Sequence, residues 1–276
     1  MKGTQKLLEL GNKILTEGEW IYNERTGKNC LTIPIHIATY DVGAGDFPID
    51  TTRKQAYRGP IMELLGYVRG LTNAQDFADI GAPTWFSNAN KTKAWLNNPH
   101  RKGENDCGQI YGAVAQADFV KVYKNLKAGI DDRGEIITFW RPETFAKACL
   151  RPCMHTHSFQ LVNGTLHMTS IQRSADVPMA GSWNAIQCYV LLALMAQITG
   201  HKPGKVTHII NNAHIYEDQL ELFEEQMCRI SMFCKPKLII NPEIKTLEDL
   251  QTWVTKEDFT LEGYASHESI TYPFSE

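Results

Sequence analysis

The Asn163-Gly164 pair constrains the fold of this chain more than any other feature of its sequence. Two segments in which apolar and polar residues alternate, 159–162 and 166–170, flank the pair. Such alternation predicts strands with one buried face, and Asn-Gly favours a two-residue turn because both residues tolerate a positive φ. The sequence therefore predicts an antiparallel β-hairpin in the middle of the chain.

Helical segments lie on both sides of this hairpin. Apolar residues recur at helical spacing over 3–23, and 185–199 reads as a long apolar helix that Gly200 ends. Residues 84–112 are rich in Asn, Lys, Gly and Pro, which predicts a long loop. Because strands and helices do not alternate regularly, we expect an α+β fold rather than a doubly wound sheet.

Length and charge limit the classes of protein that fit this chain. Its 276 residues suffice for one domain with a sizeable core, so we expect a single domain over residues 1–276. The net charge of −3 gives no general attraction for nucleic acid. No apolar run approaches the ~20 residues of a membrane span. We therefore expect a cytoplasmic protein that binds neither membranes nor nucleic acid.

The seven cysteines are an odd number and form no CxxC pair or Cys/His cluster. This spacing argues against a disulfide framework and a structural zinc site, so we expect reduced thiols and no metal. For any one of these cysteines, a small buried apolar side chain is the ordinary interpretation.

Cys153 is the cysteine that we interpret as a nucleophile. It follows Arg151 by two residues, and a thiol attacks as its thiolate, which a positive neighbour stabilises. A thiolate that adds to carbon 6 of a uracil ring makes carbon 5 nucleophilic, which is covalent catalysis. A purely structural thiol stays open as the alternative.

The residues after this cysteine follow an order that suits a pyrimidine nucleotide. Arg173 and Ser174 offer a guanidinium and a hydroxyl to a phosphate. The amide of Asn184 can pair with the donor and the acceptor on the edge of uracil. His214 and Tyr216 lie on one face of a predicted strand, where they can hold a sugar. Taken singly, each has an ordinary structural interpretation, such as a helix N-cap for the Asn.

Glu63 stands out for a different reason. It lies in an otherwise apolar helical segment, and burying a carboxylate is costly unless the group is paired. Buried carboxylates of this kind are candidates for functional sites.

These residues, in this order and spacing, resemble the signature of the thymidylate synthase family. The central part of the resemblance consists of Pro152-Cys153, Gln172-Arg173-Ser174-Ala175-Asp176, Asn184 and Asn212-Ala213-His214-Ile215-Tyr216. Further matches extend it over essentially the whole chain: Arg25-Thr26-Gly27, Phe47-Pro48, Glu63-Leu64-Leu65, Tyr111-Gly112 and Leu261-Glu262-Gly263-Tyr264.

The resemblance implies a fold, substrates and roles. The fold would be a single α+β domain around a bent, mixed β-sheet, and two copies would pack sheet to sheet as a homodimer. The substrates would be dUMP and 5,10-methylenetetrahydrofolate, with Cys153 as the nucleophile. Glu63 would organise water and proton transfer, and Tyr111 would assist removal of the carbon 5 proton.

The resemblance also implies two sets of binding residues. The nucleotide would be bound by Arg25, Arg173 and Ser174 at the phosphate, by Arg133 reaching across from the partner subunit, by Asn184 at the base, by His214 and Tyr216 at the 3′-hydroxyl, and by Asp176. The folate would be contacted by Trp85, Leu150, Asp176, Met179, Ala180 and Trp183.

Several positions depart from the family pattern where the folate would lie. Ala180 replaces a Gly, Trp183 a Phe, Phe86 the Asp that follows Trp85, and Glu276 a small apolar C-terminal residue. Closed sites protect reactive intermediates from water, so we interpret these changes as a looser site. We therefore expect a deoxyuridylate hydroxymethylase, related to enzymes of bacteriophages, in which water captures the exocyclic methylene.

Three alternatives stay open. An ordinary thymidylate synthase would reduce the methylene and form dihydrofolate. A cytosine nucleotide could replace dUMP, although Asn184 favours uracil because the family's deoxycytidylate hydroxymethylases have an Asp there. A non-catalytic folate- or RNA-binding module is the third, and the intact set of catalytic residue types argues against it. The expected location is the cytoplasm of a bacterium or of a phage-infected host cell.

Overall fold

A mixed sheet of seven strands forms the centre of the fold in the computed structural model, which describes residues 2–274. Its strands are β1 (Glu19–Asn23), β2 (Lys28–Asp41), β3 (Ile136–Thr138), β4 (Met154–Val162), β5 (Thr165–Gln172), β6 (Ala175–Asp176) and β7 (Lys202–Tyr216). A separate pair consists of β8 (Lys237–Ile240) and β9 (Phe259–Glu262).

The order of strands in the main sheet is β1-β2-β7-β5-β4-β3, and β6 also pairs with β7. Strands β5 and β6 run parallel to β7, whereas the other neighbours are antiparallel. Helices cover the inner face of the sheet, which confirms the predicted α+β fold.

The predicted hairpin is confirmed. Strands β4 and β5 pair from Val162 and Thr165 inward, and the turn between them has φ of 49° at Asn163 and 74° at Gly164. Two successive positive φ values match the right-handed twist of the flanking strands, which explains the choice of Asn and Gly.

The helices are α1 (Lys2–Glu17), α2 (Arg58–Val68), α3 (Ala74–Asp79), α4 (Phe86–Asn90), α5 (Lys93–Leu96), α6 (Gly112–Lys127), α7 (Val177–Thr199), α8 (Leu220–Cys228) and α9 (Leu247–Gln251). The prediction of a helix over 3–23 is wrong at its C-terminal end, because residues 19–23 pair with β2 as β1. The prediction of a loop over 84–112 is also wrong in part, since α4 and α5 lie within it. The buried Trp95 anchors that region by donating to the carbonyl of Asp106 at 2.6 Å.

Helix α7 is the central helix of the core and begins eight residues before the predicted start. Asp176 caps its N-terminus and Gly200, at φ 80°, ends it. Within residues 2–274 it is the one helix long and apolar enough to cross a membrane, which corrects the expectation that no apolar segment reaches that length. However, 78% of its apolar window is buried inside the protein, as in the core helix of a globular fold.

Candidate active site

Cys153 lies immediately before β4, between Tyr111 and Arg173. Its backbone N–H donates to the Tyr111 hydroxyl at 2.9 Å, and its carbonyl accepts from the Arg173 backbone at 2.8 Å. Burial raises the pKa of the Cys153 thiol, while the positive charges of Arg173 and Arg25 lower it. These two arginines are therefore the groups that can favour the thiolate.

Arg151 is not the cationic neighbour that the sequence suggested. Its guanidinium lies over the ring of Phe145, 5.6 Å from the centroid. Arg173 is instead held near the thiol, because its Nε donates to the carbonyl of Pro152 at 2.9 Å and its guanidinium lies 5.7 Å from the ring centroid of Trp140. A separation of two residues, as between Arg151 and Cys153, places two side chains on one face of an extended segment, but it does not ensure that they touch.

Tyr111 is held in an unusual backbone conformation at the start of α6. Its φ is 33° and its ψ −106°, and non-Gly residues in such sparsely populated regions carry strain that surrounding contacts must stabilise. Here its ring stacks on Tyr67 with a centroid distance of 4.4 Å and an interplanar angle of 5°. Burial raises the pKa of the Tyr111 hydroxyl well above its usual value. The hydroxyl therefore stays protonated beside the Cys153 backbone.

Glu63 is a buried carboxylate on α2, and its side-chain hydrogen-bond partners are Thr84, Trp183, Gln187 and Tyr67. Its Oε1 accepts from the hydroxyl of Thr84 at 2.8 Å. Its Oε2 accepts from the indole of Trp183 at 2.7 Å and from the amide of Gln187 at 2.8 Å. Burial raises the pKa of Glu63, and the hydrogen bond from Trp183 is the largest opposing effect. A carboxylate so placed can exchange a proton nearer to neutral pH than an exposed one.

Trp183 fills space rather than opening it. A Cβ at Gly59 would lie 2.5 Å from Cη2 of the indole, so the Trp ring packs directly on the backbone of α2. Its N–H is directed at Glu63. The interpretation of this substitution as a looser wall is therefore wrong, because the larger ring is both packed and hydrogen-bonded.

The side chain of Asn184 lies between two glutamines. Its Oδ1 accepts from Gln172 at 2.9 Å, and its Nδ2 donates to Gln187 at 3.1 Å. Gln172 is itself fixed, since it donates to the carbonyl of Ser174 and accepts from the imidazole Nε2 of His208. Asn184 keeps one N–H and one lone pair for a further partner.

His214 and Tyr216 lie side by side on β7, with ring centroids 5.1 Å apart. The Nδ1 of His214 lies 3.1 Å from the carbonyl of Asn212 and 2.8 Å from its side-chain oxygen. Because both partners are oxygen acceptors, Nδ1 carries the hydrogen and Nε2 is an acceptor. Burial lowers the pKa of His214, which favours this neutral form. A neutral Nε2 suits a sugar hydroxyl.

Asp176 connects β6, α7 and the C-terminal segment. It caps α7 by accepting from the backbone of Met179 at 3.3 Å, and it accepts from Gln219 at 3.0 Å. The same Gln219 amide donates to the carbonyl of Pro273 at 3.0 Å. Burial raises the pKa of Asp176 to about 6.

Two arginines and one serine of the predicted phosphate site have different surroundings. Arg25 is exposed in the turn between β1 and β2, and it borders an open cavity of about 310 Å³ that Asn212 also lines. Ser174 is partly buried next to Arg173. Arg133 lies on an exposed loop at φ 68°, where its backbone donates to Asp131.

The predicted folate residues differ in their exposure. Met179 is exposed, Ala180 is partly buried and Leu150 packs against the core. Trp85 is buried 5.8 Å from the ring of Tyr111, and its indole N–H has no acceptor within residues 2–274. A folate ring, which carries carbonyl and nitrogen acceptors, fits this orphaned donor. Glu276 lies outside the described residues.

The described residues contain no comparable group of side chains for a metal ion. Among residues 2–274, no group of three or more His, Cys, Asp and Glu side chains is arranged to hold an ion.

Gln187, Tyr67 and Thr84 surround the predicted residues without having been predicted themselves. Gln187 could have been found, because it is a polar residue in an apolar helix and follows Asn184 by three positions, on the same helical face. Tyr67 follows Glu63 by four positions and offers the same signal. Thr84 directly precedes Trp85, with which it matches the family pattern, but only the fold brings its hydroxyl to Glu63 on α2.

Comparisons with known proteins point to one family. The sequence model of the family described as "Thymidylate synthase" matches residues 5–276. A protein of Pseudoalteromonas translucida (strain TAC 125) described as "Thymidylate synthase" is 53% identical over 98% of this chain and 99% of its own length. Proteins with the same description from Haemophilus influenzae (strain PittGG) and Shewanella loihica (strain ATCC BAA-1088 / PV-4) are 54% and 53% identical over equal shares.

These relatives overturn the expectation of a deoxyuridylate hydroxymethylase. Bacterial proteins that match nearly the full chain at 53% identity carry the description of a synthase. They also leave a bacteriophage origin without support. The physical reason for the error lies at Trp183, whose ring packs on Gly59 and donates to Glu63, whereas we expected this substitution to loosen the site.

Proposed function

Because this chain belongs to the thymidylate synthase family, we propose that it converts dUMP to dTMP by reductive methylation, with 5,10-methylenetetrahydrofolate as co-substrate. The observation that carries the proposal is the position of Cys153, whose backbone N–H is hydrogen-bonded to Tyr111 and whose thiol lies within the electrostatic influence of Arg173 and Arg25. The folate supplies the one-carbon unit and the hydride. The residues of this chain bind and orient the two substrates, and they transfer protons.

Cys153 is the proposed nucleophile, and it adds to carbon 6 of the uracil ring. Addition requires the thiolate, so Arg173 and Arg25 counteract the burial of the thiol. Both would also contact the 5′-phosphate, together with Ser174. A bound phosphate therefore shares these positive charges with the thiolate.

Glu63 and Tyr111 are the proposed proton-handling groups. Glu63, fixed by its hydrogen bonds, would order water near carbon 4 of the base, and its raised pKa suits transfer of a proton. Tyr111 would assist loss of the carbon 5 proton. Asn184 would offer its free N–H and lone pair to the base, while His214 and Tyr216 would hold the 3′-hydroxyl.

Trp85, Leu150, Met179, Ala180 and Trp183 are the proposed contacts of the folate. The unpartnered indole N–H of Trp85 is the strongest support, because an orphaned buried donor is costly without a ligand. We extend the proposal to Asp176, which would contact both substrates; it is linked to the C-terminal segment through Gln219.

The proposal includes a homodimer in the cytoplasm of a bacterial cell. Large apolar side chains are exposed on β1 and β2, among them Trp20, Tyr22 and Ile37, which is 58% exposed. Exposed apolar side chains support an interaction surface where they lie together. Arg133 would reach the phosphate of the partner's site. Mixing inactive Cys153→Ser and Arg133→Ala subunits should restore activity; a mixture that exchanges subunits and stays inactive would contradict a shared site.

Release of tritium from carbon 5 of labelled dUMP tests the proposed chemistry. The unaltered protein should release tritium to water in the presence of the folate, and Cys153→Ser should release none while still binding dUMP. Cys228→Ser is the matched control, because Cys228 is exposed at the end of α8. Release by Cys153→Ser at the normal rate would refute the covalent mechanism, and binding of dUMP without release by the unaltered protein would favour a non-catalytic module.

A further inference from the structure

Gln187 is a buried amide on the central helix, only 4% exposed. A buried amide is unfavourable unless its donors and acceptor are all bonded. Its Nε2 donates to the Glu63 carboxylate at 2.8 Å and to the carbonyl of Pro60 at 3.4 Å. Its Oε1 accepts from Asn184 at 3.1 Å.

These partners favour one amide orientation of Gln187. The Glu63 carboxylate and the Pro60 carbonyl, which lie next to its nitrogen, are oxygen acceptors, and the hydroxyl of Tyr67 also hydrogen-bonds to Gln187 and Glu63. Turning the amide by half a rotation would place Oε1 against both of these acceptors, and it would withdraw the acceptor from Asn184. Gln187 therefore presents its oxygen, and not an N–H, to Asn184 in this structure.

The orientation of Asn184 follows from that of Gln187. Its Nδ2 faces the oxygen of Gln187, and its Oδ1 faces the nitrogen of Gln172. The remaining N–H and lone pair match uracil, which presents a carbonyl acceptor and an N–H donor. Cytosine presents an amino donor and a ring-nitrogen acceptor instead, so it requires the opposite orientation.

We infer that Gln187 is a positioning residue for base selection, which holds the Asn184 amide in the orientation for uracil by tying it to Glu63. The inference rests on the proposed function, since it requires Asn184 to face the base. It adds a specificity role for a residue that does not itself contact the nucleotide.

The flipped orientation of the Asn184 amide would be unfavourable at both neighbouring glutamines. It would set Oδ1 of Asn184 against Oε1 of Gln187, and Nδ2 against the nitrogen of Gln172. Two hydrogen bonds would be replaced by two contacts between like groups. Since one net internal hydrogen bond changes an equilibrium constant by roughly two- to tenfold, removal of the Gln187 contact alone should be measurable.

The test compares the dissociation constants of dUMP and dCMP for Gln187→Met and Gln187→Glu by titration calorimetry. The Met side chain has nearly the same length but only a weak thioether acceptor, so the preference for dUMP over dCMP should fall by about fivefold. In Gln187→Glu one carboxyl oxygen can still accept from Asn184, while the other faces the Glu63 carboxylate, so the two buried carboxyl groups must share one proton. With that proton between them, the link to Glu63 is kept and the preference should stay near that of the unaltered protein.

Gln197→Met is the matched control. Gln197 lies on the same helix and also makes two hydrogen bonds, to the carbonyls of Asn241 and Ile244, away from the site. Its substitution should lower stability without changing the preference. If Gln187→Met does not fold, Gln187→Asn serves instead, because its shorter amide cannot reach Asn184 and Glu63 together.

The outcomes separate this inference from the proposed function. A preference that is unchanged in Gln187→Met, or reduced equally in Gln197→Met, would overturn the role of Gln187 even if the unaltered protein forms dTMP. An unaltered protein that forms no dTMP would overturn the proposed function itself. Loss of preference in Gln187→Glu as large as in Gln187→Met would also contradict the inference.

Discussion

The packing of Trp183 on Gly59 leads to a prediction whose magnitude follows from the structure. A Cβ added at Gly59 would lie 2.5 Å from Cη2 and 3.0 Å from Cζ3 of the indole, whereas carbon atoms pack at roughly 3.5–4.0 Å. The ring is held by its hydrogen bond to Glu63 and has little freedom to retreat. Overpacking of this kind costs about 1–3 kcal/mol, so Gly59→Ala should destabilise the protein by that amount.

The same substitution should be harmless once the indole is gone. Trp183→Phe removes the part of the ring that approaches Gly59, and Ala is a better helix former than Gly by up to about 1 kcal/mol. In the Trp183→Phe background, Gly59→Ala should therefore be neutral or stabilising. The two substitutions should couple by roughly 2 kcal/mol, within the range found for residues in contact.

This coupling is measured by urea unfolding of four proteins at one protein concentration: the unaltered protein, Gly59→Ala, Trp183→Phe and the double variant. Trp183→Phe alone also removes a donor from Glu63, so we expect its kcat to fall more than its KM rises. If the free energies of unfolding of the two single variants add to that of the double variant within about 0.5 kcal/mol, the packing argument is refuted.

Three further predictions concern the site itself. Tyr111→Phe should lower kcat by about a hundredfold with little change in dUMP binding, as expected for loss of an acid–base group; a kcat within a factor of two in steady-state assays would exclude that role. Asn184→Asp should shift preference from dUMP towards dCMP in competition binding, and an equal loss for both nucleotides would contradict base reading. Because burial raises the pKa of Asp176 to about 6, its protonated form stabilises the fold below the unfolded value of 3.8, and that contribution is lost as pH rises through 6. Asp176→Asn should therefore gain stability relative to the unaltered protein between pH 4 and pH 7 in thermal unfolding, and a constant difference would refute the shift.

Local signals in the sequence predicted the hairpin and the core helix, but not their partners. Asn163-Gly164 determines its own turn, so β4 and β5 could be predicted from a few residues. The segment 19–23 could not, because its apolar residues fit a helix equally well and only pairing with β2 makes it a strand. Helix α6 was not predicted, although it brings Tyr111 to the site.

The candidate site shows the same division. The motifs predicted which residue types would be present, and the fold adds which of them touch. Arg151 and Arg173 are equally plausible partners of Cys153 in sequence, yet only Arg173 lies near the thiol. Trp183 appeared to loosen the site because a substitution in sequence carries no information on Gly59, 124 positions away, which makes room for the ring.

The most direct test of this account is the identity of the products from dUMP and 5,10-methylenetetrahydrofolate. Mass spectrometry of the nucleotide and the absorbance change of the folate should be followed in one incubation. We predict dTMP together with an equal amount of dihydrofolate. A hydroxymethylated nucleotide formed without dihydrofolate would contradict the account. The packing of Trp183 and its hydrogen bond to Glu63 would then not be sufficient to exclude water.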